Sequence, residues 1–141
     1  CDMAVASAKA LFGVNGVNIG LFCSTPMVAL TRNIPKKHAF EMLTTGEFIS
    51  ALRAKELGLI NRVWKEDNIS DETFKLAKTV SQKLSAAVKI GKKAFYKQME
   101  MTLAEAYQYT GEVMAENMSL LDTQEGINAF LEKRPPEWFN K

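Results

Sequence analysis

The order of periodicities constrains this chain more than any other feature: short apolar runs suited to buried strands come first, and helical spacing fills nearly everything from Ser70 onward. Met3-Ala4-Val5-Ala6 and Ala10-Leu11-Phe12 read as strands, and Leu59-Ile60-Asn61-Arg62-Val63 as a third. Between them, Ser24-Thr25-Pro26 opens a helix expected to reach about Arg32, because a hydroxyl cap followed by Pro in the first turn is a start signal. Pro35 opens the next, to which Ala39, Phe40, Met42 and Leu43 give an apolar face before Gly46 stops it. Ser50 caps a third helix over Ala51 to Leu57, which Gly58 ends.

Beyond Ser70, Asp71 and Glu72 suit a helix N-terminus, with Phe74, Leu76, Ala77, Val80 and Leu84 as its buried stripe. A second helix covers about Ala86 to Gln98. Thr102-Leu103-Ala104-Glu105 and Asp122-Thr123-Gln124-Glu125 both show capping-box spacing, so two more helices start there, the last ending before Pro135-Pro136. So few short strands give little sheet for so many helices, and the chain reads as the C-terminal half of a larger α/β domain, entered in mid-domain with neither a signal nor a transit segment ahead of Met3. Seven Met and eight Phe suit apolar surface that packs on other segments or subunits.

Composition excludes several classes. With 47% apolar residues in 141, a packed core is within reach and disorder is not expected. The net charge of +2 is far below that of a protein living on nucleic-acid phosphates. It is unevenly spread: residues 1–98 hold fifteen basic against eight acidic groups, and residues 99–141 three against eight. No run approaches the ~18 apolar residues of a membrane span. Cys1 and Cys23 have no metal-type spacing and read as reduced thiols of an intracellular protein, so no metal site is expected.

The candidate chemistry is defined by a gap: between Asp2 and Glu41 there is no carboxylate, although this stretch holds the Gly-rich passage Gly13 to Gly20. That passage reads as loop, either simple turn chemistry or the floor of a ligand site. Near-neutral proton transfer within residues 3–40 is left to Cys23 and His38. His38, beside Lys36 and Lys37, reads as a solvated imidazole; Cys23 is a small buried thiol or a nucleophile at a helix start. Gly13, Gly16 and Gly20 miss the dinucleotide fingerprint, and Gly91-Lys92-Lys93 lacks the rest of a phosphate loop. Lys89, Lys92, Lys93 and Lys97 form a basic helix face, solvated or facing a phosphate-bearing ligand. Phe130 and Lys133 place an aromatic ring and a cation three residues apart.

At Cys1-Asp2-Met3-Ala4-Val5-Ala6-Ser7, Phe12-Gly13, Thr45 to Ile60 (T-G-x-x-I-S-A-x-x-A-x-x-x-G-L-I) and Glu125 to Arg134 (E-G-x-x-A-F-x-x-K-R), the chain resembles the enoyl-CoA hydratase/isomerase (crotonase) family over essentially its whole length. The run Gly20-Leu21-Phe22-Cys23-Ser24-Thr25-Pro26 is similar to one branch of it in particular. The resemblance implies an α/β crotonase-like spiral of ββα repeats, its C-terminal part over residues 1–64, and a helical region over 65–141 for trimerisation and CoA contact. It further implies an acyl-CoA thioester as ligand with no separate cofactor, homotrimers or hexamers, and two backbone N–H groups polarising the thioester carbonyl. Both donors and a first catalytic Glu are expected before Cys1. A second Glu is expected two residues after Val14, where this chain has Gly16; in some relatives a carboxylate stands eight residues later, where this chain has Ser24.

Carried over on matching positions, Gly16, Leu21, Phe22, Cys23 and Ser24 are acyl-pocket wall, while Phe130 and Lys133 contact the adenine and phosphate end of CoA. Pro135-Pro136 departs from the polar continuation usual in the family. The expectation is an acyl-CoA-binding family member with weak or absent hydratase activity, cytoplasmic in a bacterium or mitochondrial in a eukaryote. The alternatives are a non-catalytic scaffold subunit and a helical interaction module unrelated to CoA.

Overall fold

A computed structural model describes residues 1–139, which divide into two compact units, Cys1–Leu76 and the described residues from Ala77 onward. In the first, β1 (Val5–Ser7) and β4 (Arg62–Trp64) pair in parallel, Ala6 opposite Val63. Strands β2 (Leu11–Phe12) and β3 (Ile49–Ser50) pair antiparallel, Phe12 opposite Ile49. The third strand therefore starts later than its apolar run suggests, because Leu59 and Ile60 are taken up in packing and Asn61 anchors the entry: its amide donates to the Ala4 carbonyl at 2.8 Å, and its side chain accepts from the Ala4 amide at 2.8 Å.

Helices α1 (Ser24–Asn33) and α2 (Lys36–Thr45) meet around Leu30, Ile34, Ala39, Met42 and Leu43, with Val14, Cys23 and Met27 packed on the same cluster. Leu43 is the largest fully buried side chain. Phe40, expected on the same face, is instead 65% exposed, since a residue adjacent to Ala39 turns about 100° away from it around a helix. Helix α3 (Ala51–Glu56) starts as expected, the Ser50 hydroxyl accepting from the Arg53 amide at 3.2 Å. Its buried face is Ala51 and Ala54, both fully enclosed, and these small residues let it lie close against Ala6 and Ile60.

Helix α4 (Ile69–Ser81) has no buried residue. Of its expected stripe, Phe74 is 72% exposed and Leu76 and Val80 half-buried, while Leu84 is buried as the N-cap of the next helix rather than as part of α4. In the second unit, α5 (Ser85–Gln98), α6 (Leu103–Met118) and α7 (Leu121–Glu132) follow in order. The capping box at α6 forms: the Thr102 hydroxyl accepts from the Glu105 amide, and Glu105 takes the Thr102 amide at 3.0 Å. That donor lowers the Glu105 pKa, after the larger effect of the Thr102 hydroxyl bond. The second box does not form. Helix α7 starts two residues earlier, with Leu120 as an N-cap that offers no side-chain bond, because the Asp122 carboxylate accepts from the Phe139 amide instead.

Removing Leu43 should leave a cavity that α1 and α2 cannot both close. Leu43→Ala is expected to cost ~2–5 kcal/mol and Thr102→Ala about 1 kcal/mol. Urea denaturation of the full-length protein checks both.

Candidate functional site

The passage Gly13 to Gly20 is not the plain loop expected. Asn15–Ile19 make a turn of 3-10 helix, ended by Gly20 at φ 79°. The chain then doubles back, the Leu21 amide donating to the Gly16 carbonyl at 2.9 Å and the Gly20 amide to the Val17 carbonyl at 3.2 Å. The Gly16 amide donates to the Cys23 sulfur at 3.3 Å. Ser24 is the first helical residue rather than the cap: Cys23 holds the cap position, and the Ser24 hydroxyl donates to the Phe22 carbonyl at 3.3 Å.

This brings Gly16, Leu21, Phe22, Cys23 and Ser24 together. Leu21 and Phe22 are 63% and 45% exposed, an apolar edge on a well-bonded frame. Two further anchors that local sequence reasoning missed hold the frame. Val14 and Cys23 pack on the Leu43 cluster, and the Asn18 side-chain amide donates to the Gly46 carbonyl at 3.3 Å. Gly46, at φ 65°, leaves the Asn18 side chain the space a Cβ would take. His38 lies aside, its Nδ1 3.5 Å from Glu41 in a one-turn surface pair. Among the described residues no group of three His, Cys, Asp or Glu could hold a metal ion.

Phe130 and Lys133 come together at the end of α7. Phe130 is exposed, and Lys133 is the C-cap at φ 55°, the one described non-glycine residue with positive φ. A lysine there carries backbone strain that glycine would not. The lysines of α5 also gather: Lys89, Lys92, Lys93 and Lys97 line an open groove with Tyr96, and the Lys97 ammonium lies 4.4 Å from the centre of the Tyr109 ring.

A sequence profile of the enoyl-CoA hydratase/isomerase family matches residues 1–141. The chain belongs to that family. Among curated members, enoyl-CoA hydratase domain-containing protein 3, mitochondrial, is 50% identical in Xenopus laevis and 49% in Homo sapiens over 138 residues, 98% of this chain but 47% and 46% of theirs. The crystal structure of an enoyl-CoA hydratase from Mycobacterium smegmatis superposes with a TM-score of 0.93 at 52% identity, covering 98% of this chain and 54% of that one. That of the human domain-containing protein 3 superposes with 0.92 at 49%, covering 98% and 55%. The crotonase fold is thus shown, together with the branch that the Gly20 to Pro26 run resembles. The chain spans about half the length of these relatives.

The family's Glu125 to Arg134 segment also does work that its motif does not announce. Arg134 grips Glu125 with two parallel bonds, 2.6 and 2.9 Å, and Glu132 at 2.6 Å. The amide of Glu137, past both prolines, donates to Glu125 at 2.9 Å. Trp138 then lies on α7 over Gly126, its indole N–H donating to the Gln82 carbonyl at 3.3 Å. The path after Arg134 is therefore a strap, which Pro135-Pro136 stiffens.

Arg134 above all, and the Glu137 amide after it, hold the Glu125 carboxyl down at about 2 against an ordinary 4.5. Since the folded carboxyl takes its proton later than the unfolded one, the clamp's contribution is complete above about pH 4.5 and is lost as pH falls from there toward 2. In a Trp64→Phe background, Trp138 fluorescence should stay flat from pH 7 to 5 and change below about 4.5. Glu125→Gln should show the released signal already at pH 7.

Proposed function

We propose that this protein binds an acyl- or enoyl-CoA thioester as a member of the enoyl-CoA hydratase/isomerase family and that its classical hydratase activity is weak or absent. One observation carries the reading. At the position where the resemblance places a catalytic Glu stands Gly16, and a Cβ built there would sit 2.7 Å from the Cys23 sulfur and 2.8 Å from the Leu21 carbonyl oxygen. Adding water across a 2,3-double bond needs a proton carrier within hydrogen-bond reach of that water. Residues 3–40 hold no carboxylate, and glycine moves no proton.

In this reading Leu21, Phe22, Cys23 and Ser24 form acyl-pocket wall with Gly16. Phe130 and Lys133 meet the adenine and phosphate end of CoA, where ring and ammonium suit a flat base and an anion. Coenzyme A is part of the substrate, and no further cofactor or metal is proposed. A homotrimer or hexamer is proposed on the exposed Leu103, Tyr107, Met114 and Met118 of α6, more apolar surface than a lone helix keeps in water. The names of the curated relatives support a mitochondrial location. Among the described residues no helix is long and apolar enough to cross a membrane. The same Gly16 supports a second reading, a scaffold subunit that keeps pocket and oligomer without chemistry.

Crotonyl-CoA mixed with the full-length protein should bind while its enoyl absorbance stays constant; steady loss of that absorbance would refute the reading. Lys133→Gly is the cleaner binding test, because glycine relieves the positive-φ strain while removing the ammonium. Affinity for acyl-CoA should fall about fivefold, one charge-assisted contact, with no loss of thermal stability. Unchanged affinity would instead favour an interaction module unrelated to CoA.

A further inference from the structure

We infer that the loop of residues 16–23 has closed over position 16, so that Cys23 is the positioning residue that bars a side chain there and sets the acyl wall. This rests on the acyl-CoA reading of the same site and goes beyond it. Loss of a carboxylate alone would leave an open notch, into which a Glu could be put back.

The notch is occupied. Both backbone polar groups of Gly16 are spent inside the loop, the amide on the Cys23 sulfur at 3.3 Å and the carbonyl on the Leu21 amide at 2.9 Å. On the side where a side chain would leave Cα stand that same sulfur and the Leu21 carbonyl oxygen, both nearer than real Cβ atoms come to other atoms. The φ of Gly16 is not in the left-handed range, so space and not backbone conformation excludes a larger residue. The obstruction cannot swing aside freely. The carbonyl is backbone, and Cys23 is held as the cap of α1 and packed against the Leu43 cluster. Gly20, at φ 79° with nothing near its own Cβ position, supplies the reversal that sends Leu21 and Phe22 outward. The thiol thus bounds the space at position 16 and fixes the angle at which the Leu21-Phe22 edge is presented.

Three measurements on the full-length protein test this. Gly16→Glu is expected to give no hydration of crotonyl-CoA and a lowered Tm; a gain of hydration would overturn the closure. Gly16→Ala, the smallest steric probe, should lower Tm below the wild-type value, whereas Gly91→Ala, a mid-helix site with nothing within 4 Å of its Cβ position, should hold or raise it, and the loss at position 16 should be smaller in a Cys23→Ala background. A wild-type Tm for Gly16→Ala, or identical penalties in the two backgrounds, would overturn it as well.

For selectivity, the ratio of the Kd values for octanoyl-CoA and butyryl-CoA should shift about threefold in Cys23→Ala, the size of one weak hydrogen bond. It should return toward the wild-type ratio in Cys23→Ser, whose hydroxyl still accepts from the Gly16 amide. An unshifted ratio in Cys23→Ala would remove the positioning role. A wild-type protein that binds neither thioester would sink the acyl-CoA reading and the selectivity role together, while the Tm comparison would still judge the closure on its own.

Discussion

Burial of Leu43 between α1 and α2 is the packing on which the first unit depends. The α2 face of Ala39, Met42 and Leu43 meets Leu30 and Ile34, and the two ends of the loop of residues 13–24, Val14 and Cys23, close the cluster. Because those ends are core residues, the loop between them is not free to wander as surface loops do. Its exposed Leu21 and Phe22 are carried by a frame whose polar backbone groups are largely satisfied by one another. An apolar edge held in this way is preorganised, which lowers the ordering cost of any ligand that lies on it.

The same close packing connects structure to chemistry. A glycine at a position where the proposed reading expects a carboxylate would ordinarily be taken to leave a vacancy. Here the neighbouring chain occupies the space: sulfur and carbonyl oxygen stand where a side chain at position 16 would begin. Protein interiors do not keep voids that a neighbour can fill, and once the fill is backbone a single substitution at position 16 meets it directly. In the second unit, Arg134 performs the corresponding task for Lys133, tying the chain beyond it to Glu125 so that the strained cap conformation is over-determined by its surroundings.

What was legible in the residues was local. The Thr102 box, the Ser50 cap and the Gly46 and Gly58 stops each depend on atoms within a few residues, and each is present. The illegible features depended on partners far along the chain. Asp122 has capping spacing, yet it serves an amide seventeen residues away. Phe74 has the periodicity of a buried stripe, but among the described residues nothing covers it, and periodicity states which face is apolar without supplying the surface that meets it. Likewise the glycines and asparagines of residues 13–20 announced a departure from regular structure without saying that Asn18 would reach Gly46.

The residue string by itself determined the family, the order of the helices and of three of the four strands, and the lack of any carboxylate between Asp2 and Glu41, because motif spacing, periodicity and composition are properties of a line of residues; the two-residue β3 is too short to show a period. Tertiary structure alone decided that position 16 is closed, that Leu21 and Phe22 face outward, and that residues 137–139 lie along α7. Those outcomes follow from excluded volume and from hydrogen-bond partners chosen across the fold, which come into being only when distant segments compete for the same space.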